Sequence, residues 1–114
     1  MRYTRQQHLR KAADFQTIRA SGTRRECGFF YVNFLNLPDR TPVVRRAGFI
    51  ASKRVGNAVH RNRAKRLLRE AFRHAQGDLP ESCDIVLIAR PSIKKARLAE
   101  IERRLSGAIK ALVQ

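Results

Sequence analysis

The chain has 114 residues, 25 lysines and arginines against 9 acids, and a formal net charge of +16. That length suits one domain spanning 1–114, and an apolar content of 43% argues against a disordered chain. So basic a protein is built to meet a polyanion, and no apolar run approaches the roughly 20 residues a membrane span needs, so no membrane association is expected.

Residues 1–10 carry Arg2, Arg5 and Arg10 and no acid, and are expected to form a flexible basic arm. No apolar segment of a secretory signal follows them, so a cytoplasmic location is expected. In that setting Cys27 and Cys83 are expected reduced and partly buried; with His8, His60 and His74 they match no zinc-site spacing, so no bound metal is expected. A short helix over about 11–20 follows, with Phe15 and Ile18 on one side. It ends before Gly22, and an extra short strand near 23–27 is allowed for. Phe29 to Leu37, F-F-Y-V-N-F-L-N-L, reads as a strong strand. Alternation gives Phe30, Val32 and Phe34 to the core and leaves Phe29, Tyr31, Asn33 and Leu35 on a mixed face. That face suits stacking on unpaired bases, or it is covered by the first helix, or each use takes half of it. Pro38 to Pro42 is turn chemistry, read as a hairpin to a strand at 43–52.

From Arg45 to Arg73 the chain holds ten lysines and arginines against one acid, Glu70. Ala47, Phe49 and Ala51 alternate as a strand does, Gly56 supplies a turn, and Asn57 is a good helix N-cap. Ala64, Leu67, Leu68, Ala71 and Phe72 then make the apolar stripe of a helix over 58–74, with Gly77 expected to end it. Asn62, Arg63, Lys65, Arg66, Arg69 and Arg73 lie on its flanks and far side. Like charges three or four apart destabilise a helix by a few tenths of a kcal/mol per pair. Such a face serves something outside the fold, and phosphate is the natural partner. After a loop at 78–81, Ile85 to Ala89 is the continuous apolar run of a central strand, stopped by Arg90-Pro91-Ser92. A last helix, starting within 94–98, carries Leu98, Ile101, Leu105, Ala108 and Leu112 and mixed charge, and reads as scaffold.

The expected fold is α+β, an α/β sandwich of order α-β-β-α-β-α with a mixed central sheet. Strand 43–52, helix 58–74 and strand 84–89 form a βαβ unit. No catalytic constellation is visible: the acids are scattered, with no phosphate-cradling glycine loop, no nucleophile motif and no paired carboxylates for two metal ions.

The run S-K-R-V-G-N-A-V-H-R-N-R-A-K-R-L-L-R-E-A-F-R resembles the signature of the bacterial ribonuclease P protein subunit. L-R-K-A-A-D-F-Q at Leu9–Gln16 is similar to that family's N-terminal helix, and D-I-V-L-I-A-R-P at Asp84–Pro91 to its last strand. The resemblance implies an accessory subunit of an endoribonuclease. A catalytic RNA, with bound magnesium, removes the 5′ leader of precursor tRNA, and the protein contributes positioning and charge neutralisation. It implies a left-handed βαβ crossover, no cofactor held by the protein, and no obligate protein partner. By position, Arg61, Asn62, Arg63, Lys65, Arg66, Arg69 and Arg73, with Ser52, Lys53 and Arg54 beside them, fall to the catalytic RNA. Phe15, Arg19, Tyr31 and Asn33 fall to a cleft for the single-stranded leader. Two positions depart from the family pattern: Arg19 stands where a second aromatic is frequent, and Asn33 where a Tyr is familiar. The rival readings are a ribosomal or general RNA-binding protein, and a DNA-binding protein that inserts helix 58–74 into the major groove.

Overall fold

One strand, buried on both sides, sets the architecture. The computed structural model describes residues 1–113, and its four-stranded sheet is centred on β4, Cys83–Ala89. β2, Phe30–Asn36, runs antiparallel to β4 on one side; β3, Arg45–Ile50, runs parallel to it on the other. The outermost strand beyond β2 is β1, Thr23–Glu26, the short extra strand, giving the order β1-β2-β4-β3. The apolar run of β4 takes the centre because Ile85, Leu87 and Ala89 face one side and Val86 the other, all buried.

β2 and β3 are therefore not a hairpin: β4 lies between them. Turn chemistry at 38–42 is a local signal, whereas strand order follows from which strand can be buried on both faces. Arg40 pins that loop, donating to Asp84 Oδ1 at 2.6 Å, to the Val44 carbonyl at 2.6 Å and to the Cys83 carbonyl at 3.1 Å. Asp84, 2% exposed, is clamped from the other side by Arg46 at 2.9 and 2.8 Å.

Helices α2, Ala58–Ala75, and α3, Leu98–Leu112, pack together on one face of the sheet. Phe30, Val32, Phe34, Leu68, Phe72, Ile101 and Leu105 meet there in the main core. α1, Ala12–Ser21, lies on the opposite face, where Ile18 packs with Leu9 and Val86, and Phe15, Leu35 and Ile88 join them. Leu35 is thus covered, while Tyr31 lies beyond the helix. Phe29 belongs to neither mixed face nor strand. Gly28, at φ 81°, turns the chain before β2 starts, and Phe29 packs on the main core under the Arg104 guanidinium, 5.2 Å from its ring.

α2 begins as its sequence dictates: the Asn57 side chain accepts from the His60 amide at 3.1 Å. Gly56 sits at φ 140°, where a Cβ would also meet the His60 ring at 2.9 Å, so glycine is required. At its other end the helix stops at Ala75 and tightens into a 3-10 turn over Gln76–Asp78 that includes Gly77.

The N-terminal residues are anchored rather than loose. Tyr3 Oη donates to the Ala47 carbonyl at 2.8 Å, the Leu9 amide to the same carbonyl at 3.0 Å, and Gln7 Nε2 to Gln76 Oε1 at 2.7 Å. The Tyr3 ring meets Phe49 and Phe72 edge-on, so apolar and amide groups within a basic stretch tie it across β3 and α2. No helix among the described residues is long and apolar enough to cross a membrane.

Candidate nucleic-acid interface

Two surfaces carry cations that the fold does not neutralise, and they lie on opposite faces of the sheet. The first is the outer side of α2. Ala64, Leu68, Ala71 and Phe72 are buried and Leu67 is half-buried, which turns Asn62, Arg66 and Arg69 to solvent and leaves Arg61 and Lys65 half-exposed. None of Lys65, Arg66 and Arg69 forms an ion pair with a described residue. Arg69 rests its guanidinium 5.9 Å from the Phe49 ring.

Two neighbours on the same helix are engaged within the protein. Arg63 Nη2 donates to the Ala96 carbonyl at 2.8 Å, and Nη1 lies 3.4 and 3.5 Å from the carbonyls of Ile93 and Lys94. Its charge satisfies the turn before α3. Arg73 is held by Glu70, with both contacts at 3.0 Å. The hydrogen bonds from Arg73 keep the Glu70 carboxyl below its ordinary pKa. The one acid of α2 thus removes Arg73 from the free cations.

The second surface is a cleft on the α1 side. Its inner part, a cavity of about 320 Å³, has Val86, Ile88 and Ile50 as apolar floor, Phe15, Gln16 and Arg19 from α1 as one wall, and Arg24 and Asn33 as the other. The Phe15 ring approaches the sheet closely because residue 48 is glycine: a Cβ at Gly48 would come within 2.6 Å of the ring. The cleft continues past Arg24 and Ile88 into a second cavity of about 470 Å³ bounded by Tyr31, Ser52, Arg54, Arg90 and Ser92. The Tyr31 ring is flanked by two guanidiniums, Arg24 at 4.2 Å and Arg90 at 5.2 Å. Glu26 pairs with Arg90 at 2.7 Å, and no acid lines either cavity.

Phe15, Arg19, Tyr31 and Asn33 all line this cleft. Ser52, which caps the 3-10 turn Lys53–Val55 leading into α2, and Arg54 within that turn line it too, so the segment after β3 joins the two surfaces. Sequence reasoning missed Arg24 and Arg90 as cleft residues. Nothing within residues 23–27 marks Arg24, which β1 places opposite Asn33, and Arg90 reads in the sequence only as a strand stop. Among the described residues no three His, Cys, Asp or Glu side chains come close enough to share a metal ion. The arrangement offers cations, amides and apolar surface to a strand of nucleic acid.

The family model for ribonuclease P matches residues 3–113. This chain belongs to the ribonuclease P protein family. It is 36% identical over 104 residues to the ribonuclease P protein component of Alkaliphilus metalliredigens, covering 91% of each chain. Against the component from Brevibacillus brevis it is 48% identical over 65 residues, 57% of this chain and 52% of that protein. The RNase P protein of Staphylococcus aureus has a solved structure that aligns with TM-score 0.78 at 32% identity, over 92% of this chain and 94% of that one. Membership makes the chain a component of a tRNA-processing ribonucleoprotein, with an RNA partner, and sets aside the ribosomal and DNA-binding readings.

Proposed function

We propose that this chain binds the catalytic RNA of ribonuclease P through the outer side of α2 and the single-stranded 5′ leader of precursor tRNA through the α1-side cleft. It assists RNA-catalysed hydrolysis that yields the mature 5′ end. The observation that carries this reading is the cleft's lining: an apolar floor with an aromatic wall, cations at its rim and no acid. Unpaired bases stack on such a floor while guanidiniums take the phosphates. Lys65, Arg66, Arg69, Asn62 and Arg61 face the catalytic RNA, with Lys53 and Arg54 at the junction; Arg63 and Arg73 support that helix from within. Catalysis belongs to the RNA and its magnesium. Asp84, Asp14, Glu26 and Glu70 are all paired with arginine, which favours a structural role for these acids over a catalytic one.

The test is holoenzyme affinity for precursor and mature tRNA. With Phe15→Ala, precursor binding weakens by about 5- to 150-fold, the worth of one base–aromatic stack, while mature tRNA binding holds. Equal losses for both forms would place the leader elsewhere.

A further inference from the structure

Val59 has no place in the packing of α2. It stands in the first turn and is 73% exposed, the most open of the large apolar side chains among the described residues. The buried stripe of the helix runs through Ala64, Leu68, Ala71 and Phe72, and Val59 lies off it. Nor does it help to start the helix. Asn57 is the cap, and a hydrophobic staple would use positions 56 and 61, here Gly56 and Arg61. A β-branched residue is also a weaker helix former than alanine, lysine or glutamate, any of which solvent would accept.

Its surroundings name the kind of partner. Val59 precedes Asn62 and Arg66 by whole turns, so it continues the solvent-facing row to which they belong. Arg63, one turn along, holds the carbonyls of Ile93, Lys94 and Ala96. The 3-10 turn Pro91–Lys95 is thereby fixed against α2, and it also packs on the turn Lys53–Val55. Lys53, Arg54, Lys94 and Lys95 are exposed on these two turns, and none forms an ion pair with a described residue. An apolar side chain among free cations suits nucleic acid: phosphates meet the cations, and a turned-out base or a ribose presents carbon to the valine.

We propose that Val59 anchors α2 on the catalytic RNA by an apolar contact, packing on an unstacked base or its ribose while Lys53, Arg54, Lys94 and Lys95 take phosphates beside it. This rests on the reading of α2 as the surface for that RNA and adds to it a contact that is not charge. The addition matters for where the helix settles. Phosphates are alike along every strand, whereas a turned-out nucleotide occurs only at loops, bulges and ends. The turn Pro91–Lys95, read from the sequence as a strand stop, becomes part of the same surface because Arg63 holds it there.

The experiment measures affinity of full-length variants for the catalytic RNA over a salt series, with thermal unfolding of the same proteins. Val59→Ala should weaken binding by about 4- to 15-fold, the worth of one to two methylene-sized groups returned to water. The slope of log affinity against log salt should stay as it was, because an apolar contact releases no counterion. Thermal stability should hold or rise slightly, alanine being the better helix former. Val59→Ile should keep wild-type affinity, and Val59→Lys, although it adds a cation, should bind less tightly than wild type. Binding by Val59→Ala within about twofold of wild type, less than one methylene is worth, overturns the inference. So does a lysine variant that binds more tightly, the result for a surface that only counts charge. A loss confined to precursor tRNA would assign Val59 to the substrate and overturn it too. None of these touches the α2 reading, which falls if stripping Lys65, Arg66 and Arg69 leaves affinity for that RNA unchanged.

Discussion

The outer side of α2 and the cleft across the sheet are both basic, but they are made in different ways. α2 carries its cations on one continuous helix, and its binding capacity is mostly charge on flexible side chains: its apolar stripe is turned inward, and Val59 in the first turn is the exposed apolar exception. The cleft draws on α1, β1, β2, the end of β3, β4 and the turn after it. Its charges rim an apolar floor, and shape matters as much as potential. A surface of the first kind binds phosphate wherever it occurs; a surface of the second kind discriminates between unpaired and paired strands.

The sharpest way to break this contrast is to strip α2. Replacing Lys65, Arg66 and Arg69 together by Ala should weaken binding of the catalytic RNA on the order of 100-fold at moderate salt. The plot of log affinity against log salt should flatten by about two to three units, since each phosphate contact contributes somewhat under one. Thermal stability should hold or rise slightly as repulsion is relieved. The preference for leader-bearing over mature tRNA should persist, and its loss would make the two surfaces one.

The same contrast explains what the sequence could disclose. α2 was legible because a helix displays its faces within one stretch of chain: the stripe, the N-cap and the excess cations all follow from residues 57–75. The apolar run of β4 announced a central strand for the same reason. The cleft was legible only in part. Phe15, Tyr31 and Asn33 were reached by resemblance and by strand alternation, but Arg24 and Arg90 needed the register that sets them around Tyr31. Strand order also escaped, because a turn at 38–42 is equally compatible with a hairpin and with a chain that leaves room for β4. The anchoring of residues 3–9 depends on contacts to Ala47 and Gln76, far along the chain.

Arg63 sharpens the comparison from within α2. Its guanidinium lies against the turn at 93–96 and not toward solvent. Arg63→Ala should therefore lower unfolding free energy by about 1–3 kcal/mol, as expected for charged hydrogen bonds to carbonyls, and leave the salt slope for RNA unchanged. Chemical denaturation and a salt titration on the same variant distinguish it from Arg66→Ala, which should do the reverse.

Tyr3 lies at the seam between α2 and the sheet edge, and titration reports on it. Burial pushes its phenol up from 10.0 to about 12, against smaller lowering by Arg69 and Arg10. A raised folded pKa means that the neutral form is the one the fold favours. Its contribution is fully present below about pH 10 and is lost as pH rises through about 12. Burial raises the Cys83 thiol likewise, from 9.0 to about 11, so its own loss comes earlier. Stability followed by denaturation should fall across this alkaline range. Tyr3→Phe should remove the later part of the fall and keep the earlier part. An unaltered profile would mean that the arm is not closed over Phe49 and Phe72 in solution.

Gly48→Ala gives the smallest effect and separates shape from charge most cleanly. The substitution adds no charge and removes none, and the nearest atoms a Cβ there would meet belong to Phe15 and Leu9. Its added methyl would meet Phe15 Cε1 at 2.6 Å and Cζ at 2.8 Å, too close for the ring to keep its place. The ring should lift or turn, narrowing the inner cavity, while backbone pairing of β3 to β4 persists because the strand conformation admits alanine. Overpacking of this kind destabilises by about 1–3 kcal/mol when neighbours cannot move, and less where a wall faces solvent, as Phe15 does on its outer side. Affinity for leader-bearing tRNA should drop a few-fold, by less than on Phe15→Ala, and affinity for the catalytic RNA should hold. Combining the two substitutions tests the route. If the methyl acts through the ring, Gly48→Ala should cost almost nothing further once Phe15 is already alanine, whereas fully additive losses would show that the cleft responds to something other than the seat of that ring.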